Sequence, residues 1–251
     1  MPAPEPSFRV GTSRWSYPNW CGPFYPPDLR SSDWLACYAR RFATVELNAS
    51  FYRLPTPEMI ERWSSATPLG FLFALKAWRV ITHERRLVDC AQPLEQFLAR
   101  LAPLAGKVGP ILFQLPPRFP IDPVRLGQFL AGLPGGYRYA FEFRDPSWWC
   151  DEIYARLTDA GVAFVCFDLA GLRSPWIATG SLAYVRLHGY ERRYRAAYPA
   201  AVLTDWARWL VAERRAGRDV AAYLDNTMIA DHAVRDAERL VKLLEQTTHD
   251  H

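Results

Sequence analysis

Eight short apolar runs punctuate the chain, at 8–13, 44–50, 71–77, 110–115, 137–144, 162–169, 182–189 and 219–226. Most are separated by stretches with helical spacing: 33–42, 57–65, 93–104, 124–131, 149–160, 205–216 and 230–246, the second with Thr56 as its N-cap. Strands alternating with helices specify βαβ units and a parallel sheet. Eight such units in 251 residues predict an α/β fold of the (β/α)8 TIM-type barrel kind, with a doubly wound open sheet as the rival. Gly171, Pro175 and Gly180 interrupt the segment 170–181, so a short or missing helix is expected between the sixth and seventh strands. No linker divides the chain, which predicts a single domain over 8–246 with disordered tails at 1–7 and 247–251.

The two faces of the strands favour the barrel. A strand buried on both sides of an open sheet reads as almost continuous apolar residues. Here one face is apolar throughout, while the other turns polar toward the C-terminal end of the strand. In a barrel the first face packs on the helix ring and the second points at the axis, where its last layer opens to the top. Alternation then gives an inward polar set of Glu46, Asn48, Lys76, Gln114, Glu142, Arg144, Asp168, Arg186, His188 and Asp225. Three long loops are expected over the same end. Residues 14–30 carry Trp15, Tyr17, Trp20, Phe24 and Tyr25; residues 78–87 carry Arg79, His83, Arg85 and Arg86; residues 190–201 carry Arg192, Arg193, Tyr194 and Arg195.

Composition narrows the class. The net charge of +4 is too small to imply nucleic acid by itself. No apolar run approaches the ~18 residues of a membrane span. The opening MPAPEPS has neither the basic nor the apolar region of a secretory signal. Five scattered cysteines, never in CxxC spacing, argue for reduced thiols in a cytoplasmic protein and against a zinc site. Walker, GxGxxG, HExxH and GxSxG motifs are all missing from the sequence.

The segments GTSRWSYPNWCGPFYP (11–26), TVELNASFYRLPTPE (44–58), TPLGFLFALKAWRVITHERRL (67–87), GPILFQLPPRF (109–119), FEFRDPSWW (141–149), YVRLHG (184–189) and YLDNT (223–227) together resemble the bacterial and archaeal family called domain of unknown function 72, the YecE-like proteins. The resemblance implies a TIM-type barrel and no particular activity. Matching positions include Trp15, Glu46, Asn48, Phe51, Tyr52, Lys76, Thr82, His83, Gln114, Glu142, Arg144, Trp148, Arg186, His188 and Asn226. The family often has Asn where this chain has Asp225, and His where it has Asp145.

Ten polar groups at one mouth are costly for stability alone, although a structural ion-pair network is the competing reading. Lys76, Arg144 and Arg186 fit a small anionic ligand, phosphorylated, carboxylated or sugar-derived. Glu46 and Glu142 are the expected acid/base pair, with Lys76 and His188 as further catalytic groups. Trp15, Asn48, Gln114, Asp168, Asp225 and Asn226 are expected to contact or orient the substrate. No cofactor is expected; a divalent metal stays open, opposed by the three cations and the single histidine. Two alternatives to an enzyme remain: a nucleic-acid-binding or nucleic-acid-processing protein using the basic loops as rails, and a non-catalytic ligand-binding protein. Oligomeric state is not legible.

Overall fold

The structure, a computed structural model, describes residues 8–249. Eight strands form one parallel sheet: β1 (Phe8–Thr12), β2 (Thr44–Leu47), β3 (Leu72–Lys76), β4 (Val108–Gln114), β5 (Tyr139–Glu142), β6 (Ala163–Leu169), β7 (Leu182–Leu187) and β8 (Asp219–Leu224). They run in the order β1-β8-β7-β6-β5-β4-β3-β2. The ring closes between β1 and β2 through a lone parallel bridge, Ser13 with Glu46, so the barrel is nearly rather than fully laddered. The two strands come so close there that a Cβ on Gly11 would lie 2.3 Å from the Thr44 carbonyl oxygen. Only glycine fits.

Helices surround the sheet: α1 (Trp34–Tyr38), the single turn α2 (Ala49–Tyr52), α3 (Pro57–Ser65), α4 (Ala91–Leu101), α5 (Pro123–Ala131), α6 (Asp151–Asp159), α7 (Ala200–Arg215) and α8 (His232–His249). Thr56 caps α3 as expected, its Oγ1 accepting from the Met59 amide at 3.3 Å. No helix joins β6 to β7; instead Leu172–Arg173 folds back antiparallel on β6. The expected tail at 247–251 is corrected in part. α8 continues through His249, with the Thr247 and Thr248 hydroxyls each donating to a carbonyl one turn back at 2.7 Å. Residues 1–7 and 250–251 lie outside the described residues.

Alternation builds two cores. Ala74, Leu112, Ala140, Ala163, Val165, Leu182, Tyr184, Ala221 and Tyr223 fill the barrel. Val45, Phe73, Phe113, Phe141, Phe164, Val185 and Ala222 belong to the larger core under the helices. Above this apolar layer the strand ends carry longer polar side chains, and the site forms there.

Candidate functional site

Arg186, near the end of β7, organises the floor of the mouth. Its Nε and Nη2 donate to Glu46 of β2 at 2.8 and 2.7 Å, and its Nη1 donates to Glu142 of β5 at 2.6 Å. Glu46 accepts further hydrogen bonds from the Tyr184 hydroxyl at 2.8 Å and the Ser13 hydroxyl at 3.2 Å. Glu142 also accepts from Nε of Arg144. Burial alone would raise the Glu142 carboxyl, but Arg144 and Arg186 beside it hold it below the usual carboxylate range. Both glutamates and Arg186 are buried. Lys76, Arg144 and Arg186 carry one more formal charge than the two glutamates, before Arg14 and Asp225 at the same mouth are counted.

Above this floor lies a cavity of about 360 Å³. Lys76, Gln114 and Arg144, from the ends of β3, β4 and β5, form one wall. Lys76 Nζ donates to Gln114 Oε1 at 2.6 Å and stands 4.3 Å from the centre of the Phe51 ring. Burial, helped by the nearby Arg186 charge, brings its pKa down to about 8. The Arg144 guanidinium carbon sits 4.5 Å from the centre of the Phe167 ring, and its Nη2 donates to His188 Nε2 at 3.0 Å. His188 Nδ1 meets Asp225 Oδ2 at 2.9 Å. Burial first, then the charges of Arg186, Arg144 and Lys76, push His188 well below its ordinary pKa. Burial, with Glu46 adding to it, raises Asp225 to about 7 against the pull of Arg186. Asn48 Nδ2 donates to Ser13 Oγ at 2.6 Å, while its buried Oδ1 has no hydrogen-bond partner.

Nine of the twelve expected site residues thus converge around one cavity: Asn48, Lys76, Gln114, Arg144, Arg186, His188 and Asp225 on its wall, with Glu46 and Glu142 directly beneath. Glu142 shares the floor with Glu46, and neither glutamate reaches the cavity lining. They are counter-ions held by guanidinium groups, which removes them from the acid/base position expected of them. Three residues are elsewhere. Trp15 follows Arg14, whose φ of 68° turns the chain, and packs edge-on against Trp63 of α3 at 6.2 Å. Asp168 faces the helix layer, because Ala163 and Val165 of the same strand point inward; it pairs with Arg173 at 3.0 Å. Asn226 follows the inward Asp225, so it too points outward, donating to Asp236 at 2.8 Å and to the Ala196 carbonyl at 3.1 Å.

The sequence alone does not single out as site residues Arg14, Phe51, Tyr52, Tyr194 and Met228, which also line the cavity; Tyr17, from the loop expected over the mouth, lines it too. Arg14 and Tyr194 both hold left-handed backbone, φ 68° and 63°, uncommon for such side chains and over-represented at binding sites. Of the basic loop at 78–87, Arg79 pairs with Glu84 at 3.2 Å, Arg85 donates to the Asp89 carbonyl at 2.7 Å and Arg86 covers Phe119. Among the described residues no group of three or more histidine, cysteine, aspartate or glutamate side chains could hold a metal ion. No helix among them is long and apolar enough to cross a membrane.

A family model described as "Protein of unknown function DUF72" matches residues 9–251. The curated protein UPF0759 protein YecE of Escherichia coli K12 is 36% identical over 138 residues, which cover 55% of this chain and 48% of that protein. The chain therefore matches about half the length of that relative. UPF0759 protein YunF of Bacillus subtilis is 27% identical over 88% of this chain and 90% of its own. Among solved structures, a DUF72 family protein from Thermotoga maritima superposes with a TM-score of 0.85 at 28% identity, covering 95% of this chain and 99% of that one. A xylose isomerase domain protein from Alicyclobacillus acidocaldarius reaches 0.53 at 17% identity over 96% of this chain and all of that one, a likeness of fold alone.

Proposed function

We propose, for a chain that belongs to the DUF72 protein family, that the mouth of its barrel is an active site taking a small anionic substrate and moving a proton on it. The observation that carries this reading is the make-up of the cavity wall. Lys76, Arg144 and Arg14 face it together, and Asp225 is the one carboxylate on its lining. Arg186 is spent on the two glutamates, so Lys76 and Arg144 make the grip. A carboxylate or phosphoryl oxygen there would gain charge-assisted hydrogen bonds and relieve the repulsion between the two cations.

Proton transfer falls to Lys76 and Asp225. Burial brings an amine down to about 8 and a carboxyl up to about 7, so near neutrality Asp225 is about half-protonated and Lys76 mostly protonated but able to release its proton. Groups tuned toward the working pH from opposite sides suit general acid/base chemistry. Asn48 Oδ1 is an acceptor ready for a substrate hydroxyl or amine. His188, tied to both Arg144 and Asp225, positions these two rather than exchanging protons itself.

The test is thermal denaturation in sulfate against chloride at equal ionic strength. Sulfate at millimolar concentration should raise the Tm by mass action on the folded state, and Lys76→Met and Arg144→Met should each remove the effect. A sulfate effect no larger than that of chloride, together with destabilisation by EDTA, would replace the anion site with a metal site.

A further inference from the structure

The walls of the cavity differ in kind. The arc made by β3, β4 and β5 presents Lys76, Gln114 and Arg144. The remaining arc, reached from the ends of β7, β8, β1 and β2, presents Tyr194, Met228, Tyr17, Phe51 and Tyr52. Its charged residues are Arg14, Asp225 and Arg186, the last turned onto the two glutamates below; Asn48, His188 and Thr227 lie between them.

The apolar arc is also open to water. Tyr52 is 65% exposed and Met228 57%, and Ile229 beside Met228 is 43% exposed. Few large hydrophobic side chains among the described residues are as exposed as Tyr52 and Met228, and both of these line the cavity. An isolated exposed hydrophobe needs no explanation, whereas a cluster lining a concave site marks a ligand surface. Tyr194 is held there at some cost: its φ is 63°, its amide donates to the His188 carbonyl at 2.5 Å, and its carbonyl accepts from the Met228 amide at 2.9 Å. The β7 and β8 loops are thereby tied together over the mouth.

Resting on the reading of the mouth as an anion site, we infer that its ligand is amphipathic: an anionic head on Lys76 and Arg144, joined to an aromatic or similarly planar apolar body lying against Tyr52, Tyr194 and Met228. Four aromatic side chains around the arc favour a ring over a flexible chain, because offset and edge-on ring contacts add to the area buried. Methionine adapts to such a ring through its soft, unbranched side chain. A cavity of about 360 Å³, near the lower end for ligand sites, limits the body to one or two rings.

Binding is measured calorimetrically with two pairs of probes that differ only in the body: methylphosphonate with phenylphosphonate, and acetate with benzoate. The phenyl member of at least one pair should bind about tenfold more tightly than its methyl partner, a difference of about 1.4 kcal/mol. Which pair responds tells a phosphoryl head from a carboxylate head. The double variant Tyr52→Ser, Met228→Ser, altered at two exposed positions, should bring the phenyl member down to its methyl partner and leave the methyl member unchanged. Lys76→Met should weaken both members of the responding pair. If the methyl probes bind and the phenyl probes bind no better, the anion site stands and the amphipathic ligand is overturned. A double variant that leaves the phenyl preference intact overturns it too. If none of the four probes binds, the anion site itself falls, and this inference with it.

Discussion

Arg144 donates from Nη2 to His188 Nε2 across 3.0 Å, and this contact fixes the state of the imidazole. A guanidinium can only donate, so Nε2 must be the unprotonated nitrogen. The ring proton is then on Nδ1, where Asp225 accepts it at 2.9 Å. His188 is neutral and used at both ends. The unfolded chain protonates this histidine near pH 6.5, while the folded chain resists because burial and four neighbouring cations, Arg186, Arg144, Lys76 and Arg193, depress its pKa. Below about pH 6.5 the unfolded state therefore binds more protons, and stability falls with falling pH. His83, lowered to about 4 chiefly by burial, acts in the same sense. In His188→Gln the slope of unfolding free energy between pH 5 and 6.5 should be shallower by about one proton. In the wild type, nitrogen-15 shifts should show His188 protonated on Nδ1 alone from pH 5.5 to 8. A titrating imidazole would show that the Arg144 contact does not hold.

Lys76 carries the opposite trade between stability and function. Its folded pKa of about 8 lies below the ordinary 10.5. Below pH 8 both states hold the proton and the cost of burying the ammonium is fully in force. Between about 8 and 10.5 the unfolded chain keeps a proton the folded chain has released, so stability rises with pH. Lys76→Met should therefore be more stable than wild type at pH 7, by roughly 1–2 kcal/mol once the unpaired Gln114 is allowed for. That advantage should shrink toward pH 10. Denaturant melts at pH 7 and pH 10 measure both. A variant less stable at pH 7 would mean the ammonium is well solvated in the mouth.

Asp225 titrates from the other side. Its folded pKa of about 7 exceeds the ordinary 3.8, so between those values the folded state holds the extra proton. Stability then declines as pH rises from about 4 to 7, and above 7 the full cost of the buried carboxylate remains. Asp225→Asn keeps an acceptor for His188 Nδ1 and removes that cost, so the variant should gain roughly 2 kcal/mol at pH 8 and little at pH 5. Sulfate, whose charge is constant over this range, should bind wild type progressively less well as pH rises from 6 to 9, first as Asp225 ionises and then as Lys76 loses its charge. Calorimetry on Asp225→Asn should keep only the second decline.

Much of this mouth is legible in the alternation of strand residues. Where one face is apolar and the other ends polar, as at Val45/Glu46, Phe141/Glu142 and Val185/Arg186, parity places the inward side chain correctly. β6 defeats the argument because AFVCFDL is apolar on both faces up to Asp168, so neither face is marked as the inward one. Asp168 then carries no sign of which layer it joins, and it belongs to the outer one. Beyond the last ladder residue parity needs backbone detail: it holds for Asp225 and Asn226, but the left-handed turn at Arg14 reverses it for Trp15. Charge pairing is hidden for a different reason. Sequence shows that Glu46, Glu142 and Arg186 share a layer, but not that one guanidinium engages both carboxylates and draws them out of the cavity.

Trp15 accordingly separates packing from binding. Its indole lies edge-on to Trp63 of α3, away from the cavity. Trp15→Ala should lower stability by roughly 2–3 kcal/mol through lost aromatic packing, with sulfate affinity unchanged at a temperature where the variant is folded. A loss of affinity without a loss of stability would return Trp15 to the site.

The seam between β1 and β2 is the weakest joint of the ring, and it lies directly under the site. A single bridge joins Ser13 to Glu46, where the other neighbours share ladders. The Tyr38 hydroxyl of α1 substitutes for the missing rungs: it accepts from the Thr12 amide at 2.9 Å and donates to the Thr44 carbonyl at 3.1 Å. The ring is fully buried, so losing the hydroxyl leaves a buried amide and a buried carbonyl without that partner. Tyr38→Phe should cost about 1–3 kcal/mol. Gly11→Ala sets a methyl 2.3 Å from the Thr44 carbonyl, a backbone atom that cannot step aside without parting the strands. It should cost more than Tyr38→Phe, and it should carry a functional signature as well. β2 ends one residue after Glu46, and Glu46 holds Arg186 by two of its three guanidinium nitrogens. Parting the seam therefore moves the floor, so sulfate affinity should fall in Gly11→Ala at temperatures well below its Tm. Amide exchange in β2 should quicken in step. Equal stability of Gly11→Ala and wild type would mean that β1 and β2 are not held at the separation on which the floor depends.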